Sequence, residues 1–182
     1  MPHFATAQKA IDLNDTPLHE KPAREKPVRT HRGDIMSVEK RSAVMARIKG
    51  RGTGPELAVE QMLVTLGITY ESHARDLPGR PDFVLRAVRV VVLVDGDFWH
   101  GWRFDSWRLK LSEKWERKIG ATIRRDSRNR RALRQDNWII VRLWEHQVRQ
   151  SPARCKARIK RAVAMGLRLA QSPGSVQQGI ES

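Results

Sequence analysis

The sequence predicts an α/β domain with a central mixed β-sheet flanked by helices. Two observations favour this fold class: apolar runs of strand length alternate with amphipathic stretches of helical length, and turns rich in glycine and proline separate them. Of the 182 residues, 40% are hydrophobic, which is enough for one folded domain with its own core. We expect that domain over residues 36–168.

The first predicted helix covers TGPELAVEQMLVTLG (53–67). Pro55 suits its first turn, Glu56 complements the positive helix end, and Gly67 can terminate it. After it come the segments ITYES, DFVL and VRVVVLV, which predict strands, with LPGRP as a turn between the first two. The strand VRVVVLV is apolar enough to be buried on both faces.

The second half of the domain is predicted to contain two helices around one strand. A long helix covers residues 112–135, WIIVRLW forms the last strand, and PARCKARIKRAVAMG forms a basic helix. A disordered arm is expected at 1–35, where four of the nine prolines precede position 28, and a polar tail is expected at 169–182. Met36 is an alternative start of the chain.

The charge indicates a polyanionic partner. Lys and Arg number 35 against 20 Asp and Glu, a net charge of +15 that favours nucleic acid. No apolar run is long enough to span a membrane, and the N-terminus lacks the apolar core of a signal peptide. The single cysteine, Cys155, excludes an internal disulfide and a cysteine-based zinc cluster. We expect a cytoplasmic protein.

Three carboxylates are candidates for binding a divalent metal. Asp82 follows a proline-fixed turn at the start of a strand, Asp95 ends the next strand, and Glu56 can reach them from the first helix. Phosphodiester hydrolysis needs such a cation, and hard cations prefer carboxylate oxygens. The alternative is that Pro81-Asp82 is only a turn.

The stretch VVLVDGDFWHGW (91–102) allows two interpretations. Asp95-Gly96 can be a hairpin turn, with the aromatic residues packed under the sheet. Alternatively, His100 is a general base or a partner in a metal site, and the aromatic residues contact DNA bases. Residues 103–134 add twelve Lys and Arg against four acids.

Within that basic segment, the side chains of Trp107 and Trp115 are better explained as core anchors than as base stackers. Asp126 either forms an intrahelical ion pair with Arg130 or orients a catalytic histidine.

Five ordered blocks resemble a known family. The similarity covers about residues 38–148 and consists of Glu56, LPGRPDF (77–83), VDGDFWHG (94–101), WERKIGATIRRD (115–126) and WIIVRLWEH (138–146). These blocks are similar in order and spacing to the very short patch repair (Vsr) endonucleases. The resemblance implies a restriction-endonuclease-like fold and magnesium-dependent nicking of DNA beside a thymine–guanine mismatch.

The resemblance also implies roles for individual residues. Asp82 matches the metal ligand, His100 the catalytic histidine, Asp126 the acid that orients it, and Glu56 a carboxylate that reaches metal-bound water. Asp95 stands at a variable position and is a further candidate metal ligand. The residues that resemble DNA contacts at the mismatch are Met45, Phe98, Trp99, Trp115 and Lys118.

The sequence departs from the family at two places. Asp97 and Trp102 stand where the family has cysteine ligands of a structural zinc, so we expect zinc to be absent and packing around Trp102 to replace it. Thr122 replaces an amide residue expected near the mismatch, so base preference is open to change.

The sequence therefore predicts a magnesium-dependent DNA endonuclease of mismatch repair. We expect a monomer that acts on double-stranded DNA and does not associate with a membrane. Mismatch-repair proteins are candidate partners. Two alternatives stay open: a restriction- or mobile-element-associated nuclease of the same fold without mismatch preference, and a non-catalytic basic DNA-binding module. The second is disfavoured because pure binding does not need the side chains of Glu56, Asp82, His100 and Asp126.

Overall fold

A computed structural model describes residues 52–171. The predicted arm, the alternative start Met36, the DNA-contact candidate Met45 and the chain beyond residue 171 lie outside the described residues. Helix α1 spans Gly54–Thr65, as the sequence predicts. Thr53 is its N-cap, and the Thr53 hydroxyl accepts a hydrogen bond from the Glu56 backbone N–H. Such a cap satisfies one of the unpaired donors at the helix start.

The sheet has four strands in the order β1-β2-β3-β4. Their bounds are Glu71–Ser72, Phe83–Leu85, Val90–Asp95 and Ile139–Trp144. The first two pairs, β1/β2 and β2/β3, are antiparallel, whereas β3/β4 is parallel. The predicted mixed sheet is therefore confirmed, although β1 forms only the last two residues of the ITYES segment.

The hairpin interpretation of Asp95-Gly96 is wrong. Strand β3 ends at Asp95 and runs parallel to β4, and a parallel pair needs a crossover instead of a two-residue turn. The hairpin lies one step earlier in the chain: β2 and β3 are joined through a 3₁₀ turn over Arg86–Val88. Arg89 closes this turn in the left-handed backbone region, with a φ of 51°.

Helices cover both faces of the sheet, as an α/β domain with a parallel pair requires. The crossover contains α2 (Phe104–Trp107), a 3₁₀ turn and the long α3 (Glu113–Gln135). After β4 come α4 (Glu145–Gln150) and α5 (Pro152–Gln171). Helix α5 thus continues through the predicted start of the tail at residue 169. None of the described helices is long and apolar enough to cross a membrane.

Two apolar clusters, one on each face of the sheet, hold these layers together. On one face, side chains of α1 and α5 such as Leu63 and Ile159 pack on alternate residues of β3 and β4. On the other, Leu133 of α3 packs against Val91 and Ile140. All five are at most 1% exposed. Burying each contributes roughly 1.5–3 kcal/mol, so the sheet is a rigid base for the residues at its edge.

Candidate active site

An open cleft of about 1300 Å³ lies at the carboxyl end of β3. Five of the predicted catalytic and metal-binding residues line it: Glu56, Asp82, Asp95, His100 and Asp126. The predicted DNA contacts Trp99 and Lys118 also line it. The cleft therefore gathers residues that are up to 70 positions apart in the sequence, from α1, the start of β2, the end of β3, the following loop and α3.

The strand register places Asp82 in the cleft. Because β2 is antiparallel to β3 and Phe83 pairs with Val92, the residue before β2 lies beside the end of β3. The Asp82 carboxylate accepts a hydrogen bond of 2.7 Å from the Val94 backbone N–H. Burial, together with the neighbouring carboxylates of Glu56 and Asp95, raises the pKa of Asp82 to about 7, although the hydrogen bond from Val94 lowers it.

Glu56 is fixed by the start of helix α1. Its carboxylate accepts hydrogen bonds of 2.8 Å from the Gly52 backbone N–H and from the Thr53 hydroxyl. Thr53 is the N-cap, and the Glu56 carboxylate, at the third helical position, folds back onto the cap residue and its predecessor. The same side chain thus stabilises the helix and faces the cleft, so its position is set before any ligand binds.

The carboxylates differ in their fit to a metal ion. Asp95 forms an ion pair of 2.5 Å with Arg142, whose positive charge already compensates it. Asp82 and Glu56 instead bring two negative groups together, and a cation would stabilise both in the charged form. Within residues 52–171, no group of three or more acids, histidines or cysteines is arranged to hold a metal ion. Magnesium commonly uses one or two carboxylates together with substrate phosphate and water, so Asp82 and Glu56 fit it.

His100 and Asp126 form a direct hydrogen bond across the cleft. The His100 Nδ1 lies 2.7 Å from an Asp126 carboxylate oxygen and 3.5 Å from an oxygen of Asp95. Burial lowers the pKa of His100, but the hydrogen bond to Asp126 and the two negative charges outweigh this effect and raise it overall. Burial raises the pKa of Asp126, and the contacts with His100 and Arg125 reverse this, so that it is lowered overall.

The conformation of the loop after β3 places His100 next to Asp126. Gly101 has a φ of +73°, which favours glycine, and a Cβ there would lie 2.4 Å from the Ile123 side chain of α3. Since Asp126 lies one turn further along α3, this close approach brings the loop within reach of its carboxylate. Of the two readings of Asp126, the structure thus shows the contact with the histidine.

The predicted DNA-contact aromatics form one cluster beside the cleft. The Phe98 ring stacks on Trp107 with centroids 5.4 Å apart, and Trp99 packs against Trp115 at 5.6 Å. Phe98 is 41% exposed. The ammonium of Lys118 lies 5.6 Å from the Trp99 ring and 4.9 Å from the Trp115 ring, a cation–π arrangement. Trp99 and Lys118 line the cleft, whereas Phe98 and Trp115 do not line it and pack against the Trp99 ring.

A second histidine–aspartate pair lies where the family zinc site would be. His146 Nδ1 is 2.7 Å from an Asp97 carboxylate oxygen. The Trp102 ring packs on His146 and on Trp144, with centroids 4.6 and 4.9 Å apart. We call this group, Asp97, Trp102, Trp144 and His146, the loop brace. It ties the loop after β3 to the end of β4 and the start of α4 through one hydrogen bond and edge-on or tilted ring contacts.

Two contributors to the site escaped the sequence reasoning. His73 lies 3.9 Å from Glu56 and 4.0 Å from Asp82, and Arg142 neutralises Asp95. Arg142 had a weak signal, because it is a charged residue inside an otherwise apolar strand, two residues before Trp144, the register partner of Asp95. His73 is an isolated histidine after a very short strand and carried no signal.

The chain matches known proteins along most of the described domain. The family model described as DNA mismatch endonuclease Vsr matches residues 33–106. A Type II nicking enzyme of Neisseria meningitidis serogroup C, V.NmeDIP, is 32% identical over 133 residues, which cover 71% of this chain and 90% of the relative. A second, V.XorIIP of Xanthomonas oryzae pv. oryzae, is 36% identical over 114 residues, 62% of this chain and 84% of the relative.

The DNA mismatch endonuclease Vsr of Escherichia coli strain K12 is 31% identical over 118 residues, covering 64% of this chain and 76% of that protein. These relatives are named as nicking enzymes or endonucleases, and the fold is the mixed α/β sheet that the sequence predicts. The resemblance and the fold are confirmed together. The chain is a DNA endonuclease and belongs to the Vsr DNA mismatch endonuclease family.

Proposed function

We propose that this protein nicks one strand of duplex DNA beside a thymine–guanine mismatch, with magnesium as cofactor. The observation that carries the proposal is the convergence of Asp82, Glu56 and the His100–Asp126 pair in one cleft, with Trp99 and Lys118 at its wall. The relatives support DNA as the substrate and nicking as the reaction, because their names describe nicking enzymes and a mismatch endonuclease.

Asp82 and Glu56 are the proposed metal ligands. Bound there, magnesium would offset phosphate charge and increase the acidity of water at the scissile phosphate. Glu56 is held by Gly52 and Thr53, and Asp82 is held by Val94, so neither carboxylate needs to reorganise when the cation arrives. Asp95 would act on the electrostatics of the cleft through His100, since Arg142 already pairs with it.

His100 is the proposed group that moves or holds a proton. Asp126 engages its Nδ1 nitrogen, which leaves Nε2 as the nitrogen for water or substrate. Asp126 fixes the ring orientation and stabilises the charged imidazolium, the role of an orienting acid in a catalytic pair. The negative charges of Asp126 and Asp95 favour the protonated form of the His100 ring. The proton can be donated to the leaving group, or the charged ring can stabilise negative charge that develops during the reaction.

Trp99 and Lys118 are the proposed contacts at the mismatch. An aromatic ring entering the base stack has to unstack a step at a cost of a few kcal/mol, and a mispaired site lowers that cost. Phe98 and Trp115 pack against Trp99 and would hold its ring while DNA is deformed. Met45 is retained as a further proposed contact at the mismatch.

The test is strand nicking measured on matched and mismatched duplexes of one sequence, with and without magnesium. We expect magnesium-dependent nicking of the mismatched duplex in the wild type. Asp82→Asn should lose nicking by orders of magnitude and still bind DNA, because phosphate contacts by Lys and Arg supply the affinity. Asp105→Asn is the matched control, since it removes the same charge from a side chain that is 99% exposed and outside the cleft. Near wild-type nicking by Asp82→Asn would contradict the site.

A second candidate function is nicking without mismatch preference. It is favoured by Thr122, whose hydroxyl donates to the Lys118 backbone carbonyl at 3.3 Å and is not among the residues that line the cleft. A residue that bonds to its own helix contributes little to reading a base pair. Equal nicking of matched and mismatched duplexes in the experiment above would select this candidate.

A further inference from the structure

We infer that His73 is a positioning residue that holds the two carboxylates of the metal end of the cleft, Glu56 and Asp82, in their mutual arrangement. The inference rests on the proposed function, because it assigns a task to the surroundings of the same metal site. Nε2 of His73 lies 3.9 Å from a Glu56 oxygen, and Nδ1 lies 4.0 Å from an Asp82 oxygen. One ring therefore faces both carboxylates with one nitrogen each.

The position of His73 relative to the cleft separates it from a catalytic residue. Glu56 and Asp82 line the cleft, and His73 does not. The imidazole therefore lies next to the carboxylates but outside the lining of the cleft. Its separations exceed a direct hydrogen bond, so it would act on the carboxylates through bridging water.

The backbone at His73 is held in an uncommon conformation. Its φ is +53°, in the left-handed region that side chains other than glycine seldom adopt, although histidine, asparagine and aspartate do so more often. The His73 N–H donates to the Asp82 carbonyl at 3.0 Å, which continues the β1/β2 ladder by one step. This hydrogen bond fixes His73 relative to Asp82, and the left-handed turn directs the ring toward both carboxylates. Such conformations persist where the surrounding structure imposes them, and they cluster at functional sites.

The expected consequence lies in the metal requirement. Residues that orient metal ligands from behind typically change metal affinity or activity by about 10- to 100-fold when mutated. We therefore expect His73→Gly to raise the magnesium concentration for half-maximal nicking by about 10-fold or more. The KM for DNA should stay close to wild type, because His73 touches no substrate. Glycine accepts a positive φ without strain, so the fold should be retained.

Two conservative variants test separately the interaction of His73 with Asp82 and its interaction with Glu56. The amide nitrogen of His73→Asn stands close to the place of Nδ1, which faces Asp82, and that of His73→Gln stands close to Nε2, which faces Glu56. We expect both to need less magnesium than His73→Gly. Asn137→Gly is the matched control: Asn137 also has a positive φ, of 58°, and does not line the cleft.

The experiment is a magnesium titration of nicking on a mismatched duplex for wild type, the three His73 variants and Asn137→Gly, with melting temperatures. A raised magnesium midpoint in His73→Gly, partial rescue by asparagine or glutamine, and an unchanged control support the inference. An unchanged midpoint in His73→Gly, or a loss of rate at saturating magnesium alone, overturns it. A wild type that nicks without magnesium, or does not nick, instead overturns the proposed function, so the two failures are distinguishable.

Discussion

Two histidine–aspartate pairs with the same hydrogen bond stand on either side of the loop after β3. In each, Nδ1 lies 2.7 Å from a carboxylate oxygen, and the two histidine side chains are exposed to similar extents, 28% in His100 and 26% in His146. Their surroundings differ. A second carboxylate, Asp95, lies 3.5 Å from His100 in the cleft, whereas His146 packs against the Trp102 ring.

Because the two hydrogen bonds are equally short, only the surroundings distinguish the candidate catalytic pair from the other pair. At His100, two acids favour the protonated ring, the carboxylate of Asp126 is only 15% exposed, and an open cleft gives substrate access. At His146, the partner carboxylate is 33% exposed and the ring packs against Trp102. We therefore propose that the first pair acts on a ligand and that the second holds the loop brace together.

The largest difference between the two histidine–aspartate pairs should appear when the imidazole of each is removed. His100→Ala should lower the nicking rate about 100- to 10,000-fold, the usual contribution of general acid–base catalysis, with little change in DNA affinity. His146→Ala should lower the melting temperature and leave the rate per folded molecule within a few-fold of wild type. Nicking kinetics and thermal unfolding on both variants test this. A large rate loss in His146→Ala at full folding would show that the two pairs work together.

The next largest difference between the two pairs should appear when the carboxylate partner of each histidine, Asp126 or Asp97, is neutralised. Asp126→Asn removes the charge that stabilises the His100 imidazolium, and a hydrogen bond to a charged group is worth about 1.5–3 kcal/mol, or roughly 10- to 100-fold in rate. Asp97→Asn should instead reduce the free energy of unfolding by about 1 kcal/mol. Single-turnover nicking and denaturant unfolding measure the two effects. Equal rate losses in both variants would contradict the assignment.

Substitution of the tryptophan next to each pair should change a different property: substrate preference for Trp99 and thermal stability for Trp102. Trp99→Ala should lower nicking of a mismatched duplex and narrow its advantage over a matched one, because the ring no longer enters the stack. Trp102→Ala should lower the melting temperature by several degrees, as expected for the loss of a largely buried aromatic ring, and affect both duplexes alike. The ratio of the two nicking rates is the deciding quantity. Destabilised Trp99→Ala with an unchanged ratio would mean that Trp99 only packs.

The smallest expected effect is that of a chelator on stability. Since a hydrogen bond and ring contacts hold the loop brace, we predict that the purified protein contains no stoichiometric zinc. Incubation with a strong chelator should then leave the melting temperature unchanged. Elemental analysis and thermal unfolding check this, and about one zinc per chain would show that a structural site persists.

Local patterns were sufficient for the fold. The apolar runs of β3 and β4 and the 23-residue α3 are visible in the sequence, because burial on both faces and helical periodicity leave strong patterns. The end of β3 was ambiguous, since Asp95-Gly96 satisfies the rule for a hairpin turn. Only the pairing partner decides it, and the partner β4 starts 44 residues after Asp95.

The site was predictable where a motif carried it. Asp82, His100 and Asp126 belong to blocks shared in order with a family, and the structure brings them into one cleft. His73 belongs to no such block, and its proximity to Glu56 and Asp82 depends on a left-handed backbone that no local residue pattern requires. The pairing of Asp95 with Arg142 likewise arises from the parallel register of β3 and β4, which is a property of the sheet and not of either segment.

The hydrogen bond from Val94 to Asp82 makes the candidate site depend on the register in which β2 pairs with β3. In an antiparallel pair, a slip of one residue turns every side chain to the opposite face. A β2 strand paired one position out of register with β3 would carry the Asp82 carboxylate out of the cleft, together with the His73 turn that leans on it. A copy with this slip would lack the Asp82 carboxylate in the cleft, so we expect it to be inactive until the correct register forms.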